Sequence, residues 1–402
     1  MNHILKCHDI VKTNFVRAKN CFLYDELGRR YTDFESGIWC TALGHSHPRI
    51  SQVIATQAAT LMHLGTRYPN AIVEEAALAV LEIAQIEAGK CVFLSSGSEA
   101  VEFGAQTIRR VTGKNLLLTF SNSYLAAYGS AGRKNAEDWY LVDWNTCPEA
   151  DKCLENIPFD QVGGFVLEPG GSGSGFVRFP PLQLVQALVQ KTRQAGGLVM
   201  SNEVTAGMGR TGKWFGFQHY EIQPDLVALG KGLGNGYPVS AVAMIWDVAE
   251  KLEASGLRYA QSHQNDPLGC SVAKEVIAVM RDEDLIEKGA ALGAYFLAGL
   301  QRCAEKYAIV KEARGRGMLL GLEFHPHETF SAETAYRVLL EQGFLVGYYP
   351  AGNVLRFDLA LTMEQESVDQ LLDCLDNILQ NIPMPTPLSH APEIIPGNHQ
   401  SD

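Results

Sequence analysis

Short apolar runs alternate with helix-like stretches through the middle of the chain. The runs lie at 91–94, 115–120, 139–142, 163–168, 197–201, 225–230 and 239–244. Helix-like stretches, such as 98–111 and 181–195, separate several of them. Alternation of this kind is typical of a mostly parallel, doubly wound sheet, so we predict an α/β fold for this part of the chain.

The pattern changes after residue 284. The stretches 284–306, 332–342 and 364–380 look helical, while 316–324 (RGMLLGLEF) and 353–361 (NVLRFDLAL) look like strands. We therefore predict a separate, smaller α+β unit in the C-terminal part of the chain. The last stretch, 383–402, is rich in proline and polar residues, which predicts a disordered tail.

The composition is that of a soluble globular protein, with 46% apolar and 19% charged residues among 402. A net charge of −12 argues against a nucleic-acid partner, because such proteins carry a basic face. No apolar run approaches the ~18 residues of a membrane span, so we expect no membrane partner. The N-terminus lacks a signal-peptide layout and the nine cysteines are scattered, which favours a reducing cytoplasm.

Ligands of open parallel sheets bind at the carboxyl ends of the strands, so the residues just after each apolar run are the most informative. After the run at 91–94 the sequence reads SSGSE (95–99) and then becomes helix-like. Free N–H groups at such a helix start bind anions, and small residues allow close approach. Alternatively, Ser96 and Glu99 only cap the helix.

Lys231 ends another buried-looking run, between Gly230 and Gly232. A lysine at a strand end, with glycines clearing the space around it, suits Schiff-base chemistry with a cofactor. The amine must be neutral to attack a carbonyl, and burial lowers its pKa. The alternative is a surface lysine in a loop.

The stretch MSNEVTAGMGRTGKW (200–214) follows a further run and places Asn202 at its end. Gly207, Gly212 and Lys213 have the spacing of a nucleotide-binding P-loop, but Trp214 stands where that motif needs Ser or Thr. The spacing alone therefore does not identify a nucleotide site.

Arg356 lies inside the strand-like pattern of VLRFDLALT (354–362). A buried guanidinium is costly without an anion partner. That partner is either Asp358, in a structural ion pair, or a substrate carboxylate held by the guanidinium fork.

Together these stretches resemble the class III pyridoxal-phosphate-dependent aminotransferases, such as ornithine, acetylornithine and 4-aminobutyrate aminotransferases. The resemblance runs over residues 15–380, through GRRYTDFESGIWCTALGHSHP, SSGSEAVE, LEPGGSGSG, NEVTAGMGRTGKW, PDLVALGKGLGNGYPVSAV and VLRFDLALT. It implies the PLP-dependent transferase fold type I, whose large domain has a mostly parallel, doubly wound seven-stranded sheet, beside a smaller α+β domain. It also implies a homodimer with shared active sites.

With this fold we expect four parts: an N-terminal segment, 1–48, that joins the small domain; a large domain, 49–284, that binds pyridoxal 5′-phosphate; a small domain, 285–382; and the tail, 383–402. The resemblance also explains the P-loop spacing as part of the family pattern, so no nucleotide is needed.

The resemblance assigns roles by position. Lys231 matches the lysine that holds the cofactor as a Schiff base and later shuttles a proton. Gly97 and Ser98, with Ser96 before them, match the turn that binds the phosphate. Ser262 stands where a threonine usually reaches the phosphate of the partner subunit.

Further positions correspond to the ring and the substrate. Tyr124 matches the aromatic residue that stacks on the pyridine ring, and Val204 matches the residue under its other face. Glu168 matches the glutamate of the Glu-Pro motif near the substrate. In dual-substrate enzymes of the family, that glutamate gates the arginine to which Arg356 corresponds. Arg356 matches the arginine that binds a substrate carboxylate. Two aromatic residues are expected to line the pocket from the N-terminal region: Trp39 and Tyr68.

The chain departs from the family pattern around the ring. Asn202 replaces an aspartate that keeps the pyridine nitrogen protonated, Thr205 replaces a glutamine, and Leu125-Ala126 replace His-Gly. The sequence SHQNDP (262–267) is also unusual. A neutral amide can donate a hydrogen bond to an unprotonated pyridine nitrogen. It can also accept one from a protonated pyridine nitrogen, but it supplies no negative charge. We therefore interpret the site as one that holds a less electrophilic cofactor.

The leading hypothesis is an aminotransferase that uses an amino acid or ω-amine and a keto acid. A racemase or epimerase is the alternative that uses the same cofactor. A cofactor ring that withdraws electrons weakly leaves more negative charge on the substrate α-carbon, which favours reprotonation there. A third hypothesis is a weakened protein that binds the cofactor without efficient catalysis. We expect no metal: His45 and His47 fall within the family pattern, without further ligands at metal spacing.

Overall fold

A computed structural model describes residues 3–5, 7–8, 11–145, 150–171 and 177–382. The predicted tail, 383–402, lies outside the described residues, as do residues 172–176, which include the end of the LEPGGSGSG motif. Within the described ranges, no helix is both long and apolar enough to cross a bilayer.

The strands of the described residues are short. They are β1 (Phe15–Lys19), β2 (Phe22–Asp25), β3 (Arg30–Asp33), β4 (Gly89–Leu94), β5 (Leu116–Phe120), β6 (Trp139–Val142), β7 (Val162–Leu167), β8 (Leu198–Asn202), β9 (Leu226–Leu229), β10 (Ser240–Ile245), β11 (Val310–Arg316), β12 (Leu319–Phe324), β13 (Phe344–Leu345), β14 (Gly347–Tyr349) and β15 (Val354–Asp358).

Helices lie in half of the connections between successive strands of the described residues, and one follows β15. They are α1 (Ser36–Trp39), α2 (Pro48–Thr60), α3 (Ala71–Ile83), α4 (Gly97–Thr112), α5 (Gly129–Arg133), α6 (Ala150–Leu154), α7 (Leu182–Gln194), α8 (Trp246–Ala254), α9 (Pro267–Asp282), α10 (Leu285–Lys306), α11 (Ala332–Glu341) and α12 (Gln365–Gln380). Short 3-10 turns occupy Gly216–Tyr220, Lys231–Gly234 and Pro350–Gly352.

The central sheet has seven strands in the order β4-β10-β9-β8-β7-β5-β6. Only β10 is antiparallel to its neighbours, and the other pairs are parallel. The prediction of a mostly parallel, seven-stranded sheet is therefore confirmed. All seven predicted runs match a strand within one or two residues at each end.

Both faces of this sheet are covered, because successive side chains of a strand point to opposite faces. In β7, Val166 packs in the apolar cluster that contains the buried side chains of α4. Its neighbours Phe165 and Leu167 pack in the cluster that contains those of α7. A strand buried on both faces has a continuous apolar sequence, which is why β7 was visible as a run.

Two further sheets lie outside the central one. The antiparallel sheet β11-β12-β15-β14 belongs to the C-terminal part, as predicted for an α+β unit. The sheet β1-β2-β3-β13 combines N-terminal strands with a strand from near residue 344, through the parallel pair β3–β13. The domain boundaries at residues 48 and 284 remain a prediction.

Three glycines from distant segments allow close backbone packing. Gly317, in the turn between β11 and β12 (φ +56°), lies against Gly293 of α10, where an added Cβ would overlap the Gly317 carbonyl. On its other side, a Cβ on Gly317 would overlap the backbone at Thr211 and Gly212. Gly212 of the P-loop-like motif therefore serves the contact between the loop after β8 and the C-terminal unit.

We expect Gly293→Ala to lower the free energy of unfolding by about 1–3 kcal/mol, because the new methyl group meets backbone that cannot rotate away. Urea unfolding measures this change. Gly289→Ala, one turn earlier in α10, is the matched control: its Cβ would lie 2.7 Å from the end of the Leu361 side chain, which can move. Equal losses in the two variants would contradict the packing argument.

Candidate active site

The predicted site residues follow strands whose carboxyl ends meet at one edge of the central sheet. Ser96 follows β4, Tyr124 follows β5, Glu168 follows β7, Asn202 ends β8 and Lys231 follows β9. These five strands run in the same direction, because β4 and β9 both pair antiparallel with β10. This edge is where ligands of doubly wound folds bind.

The start of α4 combines a cap with a close approach of backbone. Ser96 Oγ accepts from Glu99 N at 3.3 Å, and the Glu99 carboxylate accepts from Ser95 N at 3.0 Å. Ser96 therefore caps the helix, but no reciprocal capping box forms, because Glu99 accepts from Ser95 N and not from Ser96 N. The cap leaves the N–H groups of Gly97 and Ser98 for an anion. A Cβ on Gly97 would overlap Val204, so only glycine fits beside β8.

Lys231 points its amine into a mostly buried position. Its Nζ donates to Thr205 Oγ1 at 3.0 Å and lies 5.0 Å from the centre of the Trp39 ring. Burial lowers the pKa of Lys231, although the charges of Cys40 and Glu168 oppose this. The backbone of Lys231 has φ +42°, a strained conformation for a residue other than glycine.

The side chain of Asn202 is buried, at 3% exposure, and its amide has a defined orientation. Oδ1 accepts from Val204 N at 3.2 Å, and Nδ2 donates to the Tyr124 carbonyl oxygen at 3.3 Å. A backbone N–H only donates and a carbonyl only accepts, so oxygen and nitrogen cannot exchange places. The second Nδ2 proton remains for a ligand.

Tyr124 and its neighbours form the rest of this wall. Tyr124 N donates to Glu168 Oε2 at 3.0 Å, while the side chain of Tyr124 is half-exposed. Leu125 and Ala126, at the positions that depart from the family pattern, are buried against the cluster around α4.

Glu203 is a buried residue that the sequence analysis did not single out. Its carboxylate accepts from Gly216 N at 2.8 Å, from Phe217 N at 2.9 Å and from Ser201 Oγ at 2.7 Å. Burial raises its pKa to about 7, against the effect of these hydrogen bonds. Glu203 thereby connects the end of β8 to the turn at Gly216–Tyr220.

Arg356 lies at the centre of a second cluster of charges. Its Nε pairs with Asp358, which the sequence offered as one of two partners, and Nη1 donates to Tyr349 Oη. Nη2 donates to Glu35 Oε1 at 2.6 Å, and the guanidinium carbon lies 3.9 Å from the centre of the Trp39 ring. Trp39 therefore contacts both Arg356 and Lys231.

Two further predicted residues, like Tyr124, have exposed side chains. Tyr68 is 67% exposed, and Ser262 is exposed in the loop before α9. Their proposed roles in the pocket and at the phosphate of a partner subunit remain predictions. Glu35 was missed because no spacing rule connects residues that lie 321 positions apart. Tyr349 was missed because it reaches Arg356 from the neighbouring strand β14, a pairing that the sequence does not show.

A buried lysine, a helix start and several strand ends lie together at one sheet edge, as expected for the PLP-dependent transferase fold type I. The sequence profile of the family "Aminotransferase class-III" matches residues 6–129 and 135–379. The chain therefore belongs to the class III aminotransferases.

Three known proteins are similar to this chain. The acetylornithine aminotransferase of Gloeobacter violaceus is 31% identical over 399 residues, which cover 95% of this chain and 97% of that protein. The leucine/methionine racemase of Thermococcus litoralis is 28% identical over 409 residues, covering 91% and 90%. The crystal structure of a Bacillus anthracis aminotransferase has the same fold, with a TM-score of 0.86 at 22% identity, covering 94% and 96%.

The residues at the sheet edge fit pyridoxal 5′-phosphate, the cofactor that the family implies. The start of α4 beside Gly97 would hold the phosphate. Lys231, whose pKa is lowered, would attach the aldehyde. Asn202 retains a buried N–H that would face the ring nitrogen.

We expect Asn202→Asp to destabilise the cofactor-free protein by about 1–3 kcal/mol at pH 8, because a carboxylate oxygen would face the Tyr124 carbonyl. Burial would raise the pKa of this aspartate above its unfolded value. The variant's deficit should therefore be smallest at low pH, where the acid is protonated in both states, and should grow as the pH rises.

Denaturant unfolding at pH 5 and pH 8 checks this expectation. Asn202→Ala is the control, because it loses both hydrogen bonds and gains no titratable group. A deficit of Asn202→Asp that does not change with pH relative to this control would show that the site tolerates a charged carboxylate.

Proposed function

We propose that the chain transfers an amino group from an amino acid or ω-amine to a keto acid, with pyridoxal 5′-phosphate attached to Lys231. The observation that carries this proposal is the position of the lysine amine: mostly buried, 3.0 Å from Thr205 Oγ1, at the sheet edge that also contains the helix start. Such an amine is both a nucleophile and, once released, a base.

The side chains divide the work at the site. When bound, the cofactor supplies an electron-withdrawing ring that stabilises negative charge on the substrate carbon. Lys231 Nζ accepts the proton from that carbon and returns it at another position, and the Thr205 hydroxyl orients the amine between these events. Asn202 contributes a hydrogen bond to the ring nitrogen without a negative charge.

A homodimer with shared active sites and a cytoplasmic location belong to the same proposal. Ser262 supports the dimer: it is exposed in a single chain, on the loop that precedes α9, and would reach the phosphate of a partner's cofactor.

A second candidate is amino-acid racemisation or epimerisation, which one observation favours. Asn202 is neutral, and one proton of its Nδ2 has no acceptor among the described residues, so a bound ring meets a donor and no anion. A racemase among the relatives is compatible with this chemistry. Loss of optical rotation without any keto acid would support this candidate, whereas formation of a new amino acid only with a keto acid would support amino transfer.

We expect Lys231→Ala to remove the cofactor that borohydride can fix to the protein, as measured by mass spectrometry. Amino transfer should fall by at least about 10³-fold, because the variant loses both attachment and proton transfer. Lys213→Ala is the control, since Lys213 lies in the loop after β8 but is exposed and donates to the Gln218 carbonyl.

Cofactor that borohydride still fixes to Lys231→Ala would assign the attachment to another lysine. Absence of the cofactor's absorbance from the purified wild-type protein would contradict both enzymatic candidates.

A further inference from the structure

Two histidines and an aspartate meet at a place that the proposed function does not use. His63 follows α2, whereas His263 and Asp266 lie in the loop before α9. Asp266 Oδ1 is 2.9 Å from His63 Nδ1, and Asp266 Oδ2 is 2.9 Å from His263 Nδ1. One ring nitrogen of each histidine and one carboxylate oxygen all lie within 4.8 Å of one another. We call these three side chains the His-His-Asp cluster.

The His-His-Asp cluster was not visible in the sequence. The expectation of no metal considered His45 and His47, whereas the fold brings together residues that lie 203 positions apart. His263 and Asp266 belong to SHQNDP, a stretch that departs from the family pattern, so the resemblance assigns neither of them a role. Within the described ranges, this is the one group of three histidine, cysteine or acidic side chains close enough to share an ion.

The carboxylate of Asp266 is held in a fixed position. Asp266 is the N-cap residue of α9, where an aspartate side chain usually accepts from the first turn of the helix. Its side chain makes no such hydrogen bond and faces the two histidines instead. The adjacent Asn265 anchors the loop to β4, because its Oδ1 accepts from Phe93 N at 2.9 Å and its N donates to the Phe93 carbonyl at 3.0 Å.

The two histidines have room to adjust around this carboxylate. Their side chains are 46% and 63% exposed, whereas that of Asp266 is 10% exposed. A tetrahedral ion with nitrogen and oxygen ligands at about 2.0–2.2 Å holds these ligand atoms about 3.3–3.6 Å apart. Small rotations of the exposed rings would bring the cluster to these separations. A cavity of about 170 Å³ borders His263 and Asp266, which leaves space for water on an open coordination position.

We propose that His63, His263 and Asp266 bind a divalent transition-metal ion of the zinc class. Imidazole nitrogens suit such ions, whereas Mg²⁺ and Ca²⁺ prefer oxygen ligands. Two imidazoles and one carboxylate, with the fourth position open to water, are a ligand set that zinc adopts in proteins. The ion would join the segment after α2 to the loop before α9. This inference goes beyond the proposed function, since it requires neither the cofactor nor turnover.

The competing interpretation of the cluster is a pair of hydrogen bonds. In that case each Nδ1 carries a proton and donates it to the Asp266 carboxylate. An ion takes the place of both protons, because a histidine must present a free lone pair to coordinate it. The two interpretations therefore differ in whether added metal binds at all.

Calorimetry with Zn²⁺ on the holoenzyme at pH 8, after chelator treatment and removal of the chelator, tests the proposal. The wild type should bind one Zn²⁺ per chain at this cluster, and excess Mg²⁺ should not displace it. His63→Ala, His263→Ala and Asp266→Asn should each bind this ion at least about 100-fold more weakly, because loss of even an outer-shell partner costs 10–100-fold. His325→Ala is the matched control, since His325 is an exposed histidine after β12 and should not affect the affinity.

Thermal unfolding protects this experiment against a folding defect in a variant. Without metal, His63→Ala and His263→Ala should unfold close to the wild-type temperature, because both side chains are exposed. Added Zn²⁺ should raise the midpoint of the wild type and of His325→Ala above those of the two cluster variants, because an ion that binds only the folded state stabilises it.

Co²⁺ is a second probe, because its visible absorption reports the ligands around it. The wild type should develop this absorption with one Co²⁺ per chain, and His263→Ala should not. The proposal is overturned if the wild type binds no more Zn²⁺ than a variant that lacks both histidines, or if the three single variants bind it as tightly as the wild type. Either result would leave Asp266 as an acceptor of two hydrogen bonds and nothing more.

Discussion

A buried charge network around Asp358 determines how the parts of this protein fit together. Arg210, from the glycine-rich loop after β8, donates to the Leu359 carbonyl and to Ser36 Oγ, and Ser36 Oγ donates to the Asp358 carbonyl. Asp358 itself pairs with Arg356. Charges in a protein interior need such partners, because a single unpaired one is strongly destabilising. The N-terminal segment, the loop after β8 and the C-terminal unit each contribute a residue to this network. Moving any one of them would break at least one of these hydrogen bonds.

The sequence predicts the large sheet and its edge well, for a local physical reason. Strands buried on both faces are short apolar runs, and their chemistry follows them directly along the chain, as Lys231 and Asn202 do. It predicts the partners of Arg356 only in part. Asp358 lies two positions away on the same strand, whereas Glu35 arrives from an N-terminal segment whose path depends on the whole fold. Glu203 was missed because two of its three partners, Gly216 and Phe217, donate from the backbone, which leaves no trace in residue types.

The surroundings of Asn202 suit an amide better than a carboxylate. One side of the group faces a donor, Val204 N, and the other faces an acceptor, the Tyr124 carbonyl. A carboxylate has acceptors on both sides and matches only the first. Two neighbours fix the position of the Tyr124 carbonyl: Tyr124 N donates to the Glu168 carboxylate, and the side chain of Leu125 is buried. The departure from the family pattern at residue 202 is therefore matched by its surroundings, as expected of a site built for a neutral group.

The two ends of the site influence each other through charge. The positive charge of Arg356 lowers the pKa of Lys231, while the negative charge of Asp358 raises it. Glu35 forms an ion pair with Arg356 and, when ionised, balances part of its positive charge. Because Arg356 is paired with both Asp358 and Glu35, much of its positive charge is balanced before it acts on the lysine amine. The field at Lys231 therefore depends on the partners of Arg356 as well as on its own burial.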